Sequence, residues 1–197
     1  MAWRPLSGGK LILASSSPRR AWLLRQVGIP FRTMEVDVDE GFSEELSPAD
    51  YVVSLAERKA RSAASKLREG IVLAADTIVL FQGKIMGKPK DAEEAKKMLC
   101  RLSGNTHQVY TGLALIDVGK GSMATGYEVT KVKFHPLSAD FIASYVETGE
   151  PLDKAGAYGV QRRGALLVEK VDGCFYNVVG LPLSKLLTLL QELGYGL

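Results

Sequence analysis

The chain alternates short continuous apolar runs with longer runs of helical period, and the two patterns mark out its elements. "KLILA" at 10–14 is a short apolar run that reads as a buried strand. Pro18 and the following "RRAWLLRQVG" read as a helix, with Ser17 capping it, proline in the first turn and Gly28 ending it. "PFRTMEVDVDE" at 30–40 is extended and finishes in acidic side chains. From Ser47-Pro48 to about Glu69, the residues Val52, Ala56, Ala60, Ala63 and Leu67 recur at helical spacing, which predicts a long amphipathic helix stopped by Gly70. "IVLAADTIVLF" at 71–81 predicts a strand covered on both faces, and "QGK" followed by "IMGKP" predicts a hairpin beside it.

The second half continues the alternation. Asp91 caps a helix, "AEEAKKMLCRL", that ends near Gly104. Two longer extended segments, about 106–118 and 123–134, are joined by the turn "GKGS". "SADFIASYVETG" is a capped helix, "ALLVEKVDG" a strand and "PLSKLLTLLQELG" a closing amphipathic helix. Alternating elements with at least one antiparallel pair indicate an α/β protein with a mixed sheet. With no repeat, low-complexity tract or obvious linker, residues 1–197 are expected to form a single domain.

Composition excludes several functions. Lys and Arg number 25 against 22 Asp and Glu, a net charge of only +3, too small an excess to argue for nucleic acid or a membrane surface. Two distant cysteines, Cys100 and Cys174, resemble neither a disulfide framework nor a metal knuckle, which favours a reduced compartment. The opening "MAWRPLSGGK" lacks the apolar core of a signal peptide, and no apolar run approaches the ~20 residues that span a bilayer. The expectation is a cytoplasmic protein.

Three features break the apolar pattern. Asp76 is the one charged residue in "IVLAADTIVLF". A carboxylate there is costly unless cations, a metal or hydrogen-bond donors compensate it. The plainer alternative is a strand-end aspartate bonded to a turn, but the apolar run continues past it. Lys59 sits four residues before Ala63, close to the inward face of its helix. Either it snorkels over apolar neighbours or its ammonium points into a pocket. Lys88 is held between Gly87 and Pro89, which suits a surface turn as well as a phosphate loop. Its spacing from Gly83 is one residue short of the nucleotide-binding P-loop, and Pro89 stands where that motif needs Ser or Thr.

His107 and His135 are the only histidines, which argues against a His-rich zinc site, and there is no "GxSxG" elbow for a serine nucleophile. What remains is carboxylates, Glu40 and Asp76, with cations, Arg19, Arg20, Lys59 and Lys88. Hard oxygen ligands suit Mg²⁺ or Mn²⁺, and clustered cations suit a polyphosphate. The turn "ASSSPRR" fits the same chemistry. A strand that delivers serines to a helix N-terminus presents backbone N–H groups and a favourable dipole to an anion. Ser15 and Ser17 add hydroxyls, and an arginine grips phosphate oxygens in bidentate fashion. Alone, this turn is as often a plain capped helix.

Taken in order, "ASSSPRR", the acidic pair Asp39-Glu40, "AERKA", "AADTIV", "GKPKDAEEA", "LSGNTHQVYTG" and "EPLDKAGAYGVQ" resemble the Maf family of nucleoside triphosphate pyrophosphatases over nearly the whole chain. The resemblance implies an elongated mixed β-sheet flanked by helices, with two lobes around a cleft, similar to inosine triphosphatases. It implies hydrolysis of a nucleoside triphosphate to the monophosphate and pyrophosphate with a divalent cation, and a homodimer. Asp76 matches the family's catalytic acid-base residue. Ser15, Ser17, Arg20, Glu40, Lys59 and Lys88 match residues lining the pocket, with Glu40 and Asp76 as metal ligands. Arg19, Thr77 and Gln161 match residues associated with a branch acting on dTTP and UTP. The chain departs from the family at Arg162-Arg163, where glycine commonly follows the glutamine. A rival reading is a non-catalytic nucleotide-binding regulator of cell division; another is a phosphatase removing the terminal phosphate.

Overall fold

The computed structural model describes residues 11–38 and 46–195. Asp39 and Glu40, the acidic pair of the sequence reading, lie outside them. Among the described residues seven strands form one mixed sheet: β1 (Leu11–Leu13), β2 (Phe31–Thr33), β3 (Ile71–Phe81), β4 (Lys84–Met86), β5 (Thr106–Asp117), β6 (Ser122–Phe134) and β7 (Val168–Asp172). Their order is β2-β1-β3-β5-β6-β7, with β4 also paired to β3. The helices are α1 (Pro18–Gln26), α2 (Pro48–Ala64), α3 (Ala92–Leu102), α4 (Ala139–Glu147), α5 (Phe175–Val179) and α6 (Leu183–Glu192). The α/β class and the mixed sheet are as expected.

The chain divides into two compact units. The first takes Met1–Asp76, Thr111–Glu128 and Gly180–Leu197; the second takes Thr77–Tyr110 and Val129–Val179. In the first, β1 runs parallel to both β2 and β3, with Leu11 opposite Phe31 and Ile71. Ala56, Ala60 and Ala63 of α2 pack on Ile12, Ala14, Val72, Ala74 and Ala114. Small side chains on both surfaces let the helix lie close to the sheet. A Cβ on Gly112 of β5 would stand 2.3 Å from the Val52 carbonyl oxygen, so only glycine fits there.

In the second unit, Val79, Phe81 and Met86 of the β3–β4 hairpin share a core with Leu99 and Leu102 of α3, Phe134 of β6, and Ile142 and Tyr145 of α4. The hairpin loop is Gln82-Gly83, with φ of 50° and 73°, the positive pair that a two-residue primed turn demands. Here His107 is buried. Its Nε2 lies 2.7 Å from the Tyr158 hydroxyl, and its ring meets those of Phe134 and Tyr158 edge to face. Burial lowers the His107 pKa to about 4 and raises that of Tyr158.

Three local expectations change. α2 stops at Ala64, not near Glu69: the Lys66 and Leu67 amides bond to Ala63 and Ala64, three residues back, so the last turn tightens and ends. The "ALLVEKVDG" strand begins only at Val168, because Arg162–Leu167 is a 3₁₀ segment. Further 3₁₀ turns at Glu150–Asp153 and Ala155–Ala157, and the short α5, were not foreseen; each is too short to show a period. No helix among the described residues is long and apolar enough to cross a membrane.

Candidate active site

β1 ends at Leu13, and the chain turns through Ala14–Ser17 into α1. Proline at the first helical position preorganises that start. Ser17 occupies the N-cap position as expected, yet its side chain makes no capping bond. The contrast with other helices is direct. Ser47 accepts from Asp50 N at 3.2 Å, Asp91 from Glu94 N at 2.7 Å, and Ser138 from Phe141 N at 3.2 Å. At α1 the serines bond differently: the Ser17 amide donates to Ser15 Oγ (3.2 Å), which also accepts from Arg20 Nη1 (3.0 Å). Arg20 Nε donates to the Gly180 carbonyl at 2.8 Å. Ser15, Ser17 and Arg20 therefore form one assembly. Arg19, beside them in sequence, is partly buried.

Asp76 lies in the middle of β3, where the burial of Ile71–Ala75 gives way to partial exposure. Its Oδ1 meets Lys59 Nζ at 2.5 Å, and each side chain is only 13% exposed. The lone carboxylate thus has a compensating cation. The lysine close to the inward face of α2 is that cation, and not a snorkelling stem. Unlike the exposed pairs on α2 and α3, Glu57–Arg61 and Glu93–Lys96, this pair is mostly shielded from water and holds both groups in place.

Thr77, Lys88 and Gln161 belong to the second unit. Thr77 is partly buried directly after Asp76, and Lys88 is exposed in the turn after β4. The Gly87 carbonyl accepts from Gly156 N at 3.0 Å, which ties the base of the Lys88 turn to the 155–157 segment. Gln161, partly buried, precedes the 3₁₀ segment. Glycines make that turn compact: a Cβ on Gly164 would stand 2.0 Å from the Gly159 carbonyl, and one on Gly159 2.9 Å from Lys154 Cε. Arg162, at φ 54°, and Arg163 are exposed. Sequence reasoning missed the Gly180 carbonyl and this glycine packing; neither involves a side chain that a motif could flag. His107 is buried in the second unit, where its Nε2 faces the Tyr158 hydroxyl and burial favours its neutral form.

In this α/β sheet β1 leads through a serine-arginine turn into a helix start, and neighbouring β3 carries Asp76 paired with Lys59 of α2, donor chemistry of the kind that suits an anion. The chain belongs to the Maf-like protein family, whose model matches residues 10–193. A relative named dTTP/UTP pyrophosphatase, from Symbiobacterium thermophilum, is 53% identical over 94% of this chain and 95% of its own. Another of that name, from Acetivibrio thermocellus, is 48% identical over 94% of this chain and 96% of its own. Among solved structures, a HAM1 protein from Coxiella burnetii covers 93% of this chain and 98% of its own, at 18% identity and a TM-score of 0.49.

Proposed function

We propose that this protein is a nucleoside triphosphate pyrophosphatase that prefers dTTP and UTP, releases the monophosphate and pyrophosphate, and so serves nucleotide-pool control. The observation that carries the reading is the shielded Lys59–Asp76 contact on β3. The names and near-complete coverage of its relatives support the choice of reaction.

In this mechanism a water oxygen attacks the α-phosphorus, the bond from that phosphorus to the bridging α–β oxygen breaks, and pyrophosphate leaves. Asp76 takes the proton of the attacking water. With Oδ1 against Lys59, the other carboxylate oxygen is the base, and Lys59 holds its orientation. Ser15, Ser17 and Arg20 bind phosphate oxygens, and Arg20, Lys59 and Lys88 stabilise charge developing on the leaving group. Arg19, Thr77 and Gln161 set the nucleotide's position and read its base.

The donor chemistry fits a divalent cation. Among the described residues no three His, Cys, Asp or Glu side chains cluster as a ready cage. Mg²⁺ or Mn²⁺ held by one or two carboxylates, waters and substrate phosphates needs no such cage. Asp76 and Glu40 are the residues that would hold it, and there ligation and base catalysis compete for the Asp76 oxygen that does not face Lys59. When bound, the ion neutralises phosphate charge and polarises the α-phosphorus.

The enzyme is proposed to act in the cytoplasm as a homodimer, without nucleic acid or membrane partners. Size-exclusion chromatography with light scattering tests the dimer. The activity test is incubation of the purified protein with each common triphosphate, with Mg²⁺ or Mn²⁺ and with EDTA, products being identified by ³¹P NMR. Monophosphate and pyrophosphate from dTTP and UTP are expected, with no turnover in EDTA. Orthophosphate release would instead indicate a phosphatase, and binding without turnover the regulator.

A further inference from the structure

Gly180 has no side chain and carries no motif signal, yet its carbonyl reaches across 160 residues of sequence to accept from Arg20 Nε at 2.8 Å. The residue is buried, with φ at +114°, a conformation that side-chain-bearing residues rarely adopt. Buried Leu181 and Pro182 follow it directly, and the Pro182 carbonyl receives the Leu186 amide in the first turn of α6. The carbonyl is therefore presented from packed backbone and not from a loop tip.

At its other end Arg20 donates through Nη1 to Ser15 Oγ, and the Ser17 amide donates to that same oxygen. A hydroxyl oxygen has two lone pairs, and both face donors here. The one hydrogen bond left for Ser15 to make is the one it gives.

We propose that the Gly180 carbonyl is a positioning group for the anion site. It fixes the planar Arg20 guanidinium against Ser15 before any nucleotide arrives, and so commits the Ser15 hydroxyl to donation. Holding Nε and Nη1 at once requires the rigid fork of arginine; a lysine ammonium is a point donor on a flexible stem. The inference rests on the reading of this turn as a phosphate site. It adds the element that preorganises the turn, so the ordering cost is met in folding and not in binding.

The test has a structural arm and a kinetic arm. In the nucleotide-free protein at neutral pH, ¹⁵N NMR should show the Arg20 Nε–H exchanging slowly, its signal identified by its disappearance in Arg20→Lys. In Gly180→Ala that protection should vanish while the other arginine signals stay. An Arg20 Nε–H in the parent that exchanges as fast as that of exposed Arg58 overturns the proposal. In the kinetic arm, with UTP and Mg²⁺, Gly180→Ala should lower kcat/KM about tenfold or more in the parent. On an Arg20→Ala background the same change should cost less than about twofold, because its effect runs through the guanidinium. Equal factors on the two backgrounds make Gly180 a merely structural residue and overturn the proposal. Should Gly180→Ala not fold, Arg20→Lys decides: it keeps the charge but not both bonds, and a rate within about threefold of the parent refutes positioning. A protein that turns over no nucleotide defeats the functional reading alone, and the exchange measurement still decides this one.

Discussion

Replacing Lys59 by methionine keeps an apolar stem on α2 and removes little but the ammonium, so it isolates the pair with Asp76. At an effective dielectric near 20, opposite unit charges 2.5 Å apart attract by roughly 6–7 kcal/mol, most of which desolvation offsets. Removing one member of a fully buried pair costs ~3–5 kcal/mol, because the other charge is left without a partner. With each side chain still 13% exposed, water reaches the survivor and the cost falls to about 2–3 kcal/mol. In a chain of this size each kcal/mol moves Tm by ~2–4 °C, so Lys59→Met should melt about 5–10 °C lower. Asp76→Asn should also destabilise, and it should slow pyrophosphate release by on the order of 10²–10⁴ as the base is lost. The double variant has neither charge. Its loss should fall short of the summed single losses by about 1–2 kcal/mol. Urea unfolding followed by circular dichroism, with thermal melts on the same preparations, measures all three. Single losses that simply add, within about 0.5 kcal/mol, or a Lys59→Met variant as stable as the parent, would refute the energetic role of the pair.

Base choice is the second expectation: kcat/KM for UTP and dTTP should exceed that for CTP by roughly ten- to two-hundredfold, since a mismatched buried polar group costs ~1–3 kcal/mol. Competition assays check it, and Gln161→Ala should narrow the gap. Lys88→Ala, at an exposed turn, should slow hydrolysis while leaving Tm within about 2 °C of the parent. For His107, burial depresses the folded-state pKa from 6.5 to about 4. The unfolded chain then binds the extra proton first, so stability should fall as pH drops through 6.5 toward 4, by about 2 kcal/mol between roughly pH 7.5 and pH 5. His107→Phe should lack that component in urea midpoints measured across the range, and an equal slope in both proteins sinks the assignment. Gly164→Ala forces a Cβ to 2.0 Å from the Gly159 carbonyl, so it should cost about 2–3 kcal/mol and lower kcat/KM by displacing the turn before which Gln161 sits. Melting and kinetics on one preparation read both effects.

The elements of this chain are largely local facts. The apolar stripe of α2, the continuous run of β3, the Gln82-Gly83 turn and the caps Ser47, Asp91 and Ser138 all act within a few residues. Period and cap chemistry therefore locate them before any tertiary contact exists. Asp76 was legible for the same reason, since a lone carboxylate in an apolar strand is anomalous wherever the strand ends up. The family resemblance added roles for Thr77 and Gln161 that their own spacing does not carry.

Tertiary structure decided which groups meet. In the sequence Lys59 is one of several cations, and crowding alone suggests that removing it relieves repulsion. In the fold its partner is a carboxylate 17 residues on, reached because small residues let α2 settle close to the sheet. The end of α2 at Ala64 and the 3₁₀ segment before β7 are set by backbone hydrogen bonding that no apolar period encodes. Arg20 shows the limit most plainly. Its side-chain type and place beside the serines are visible in the sequence, but its orientation is held by a backbone carbonyl 160 residues away, and a carbonyl is present at every position of every chain. Only the path of the folded backbone distinguishes that one from the rest.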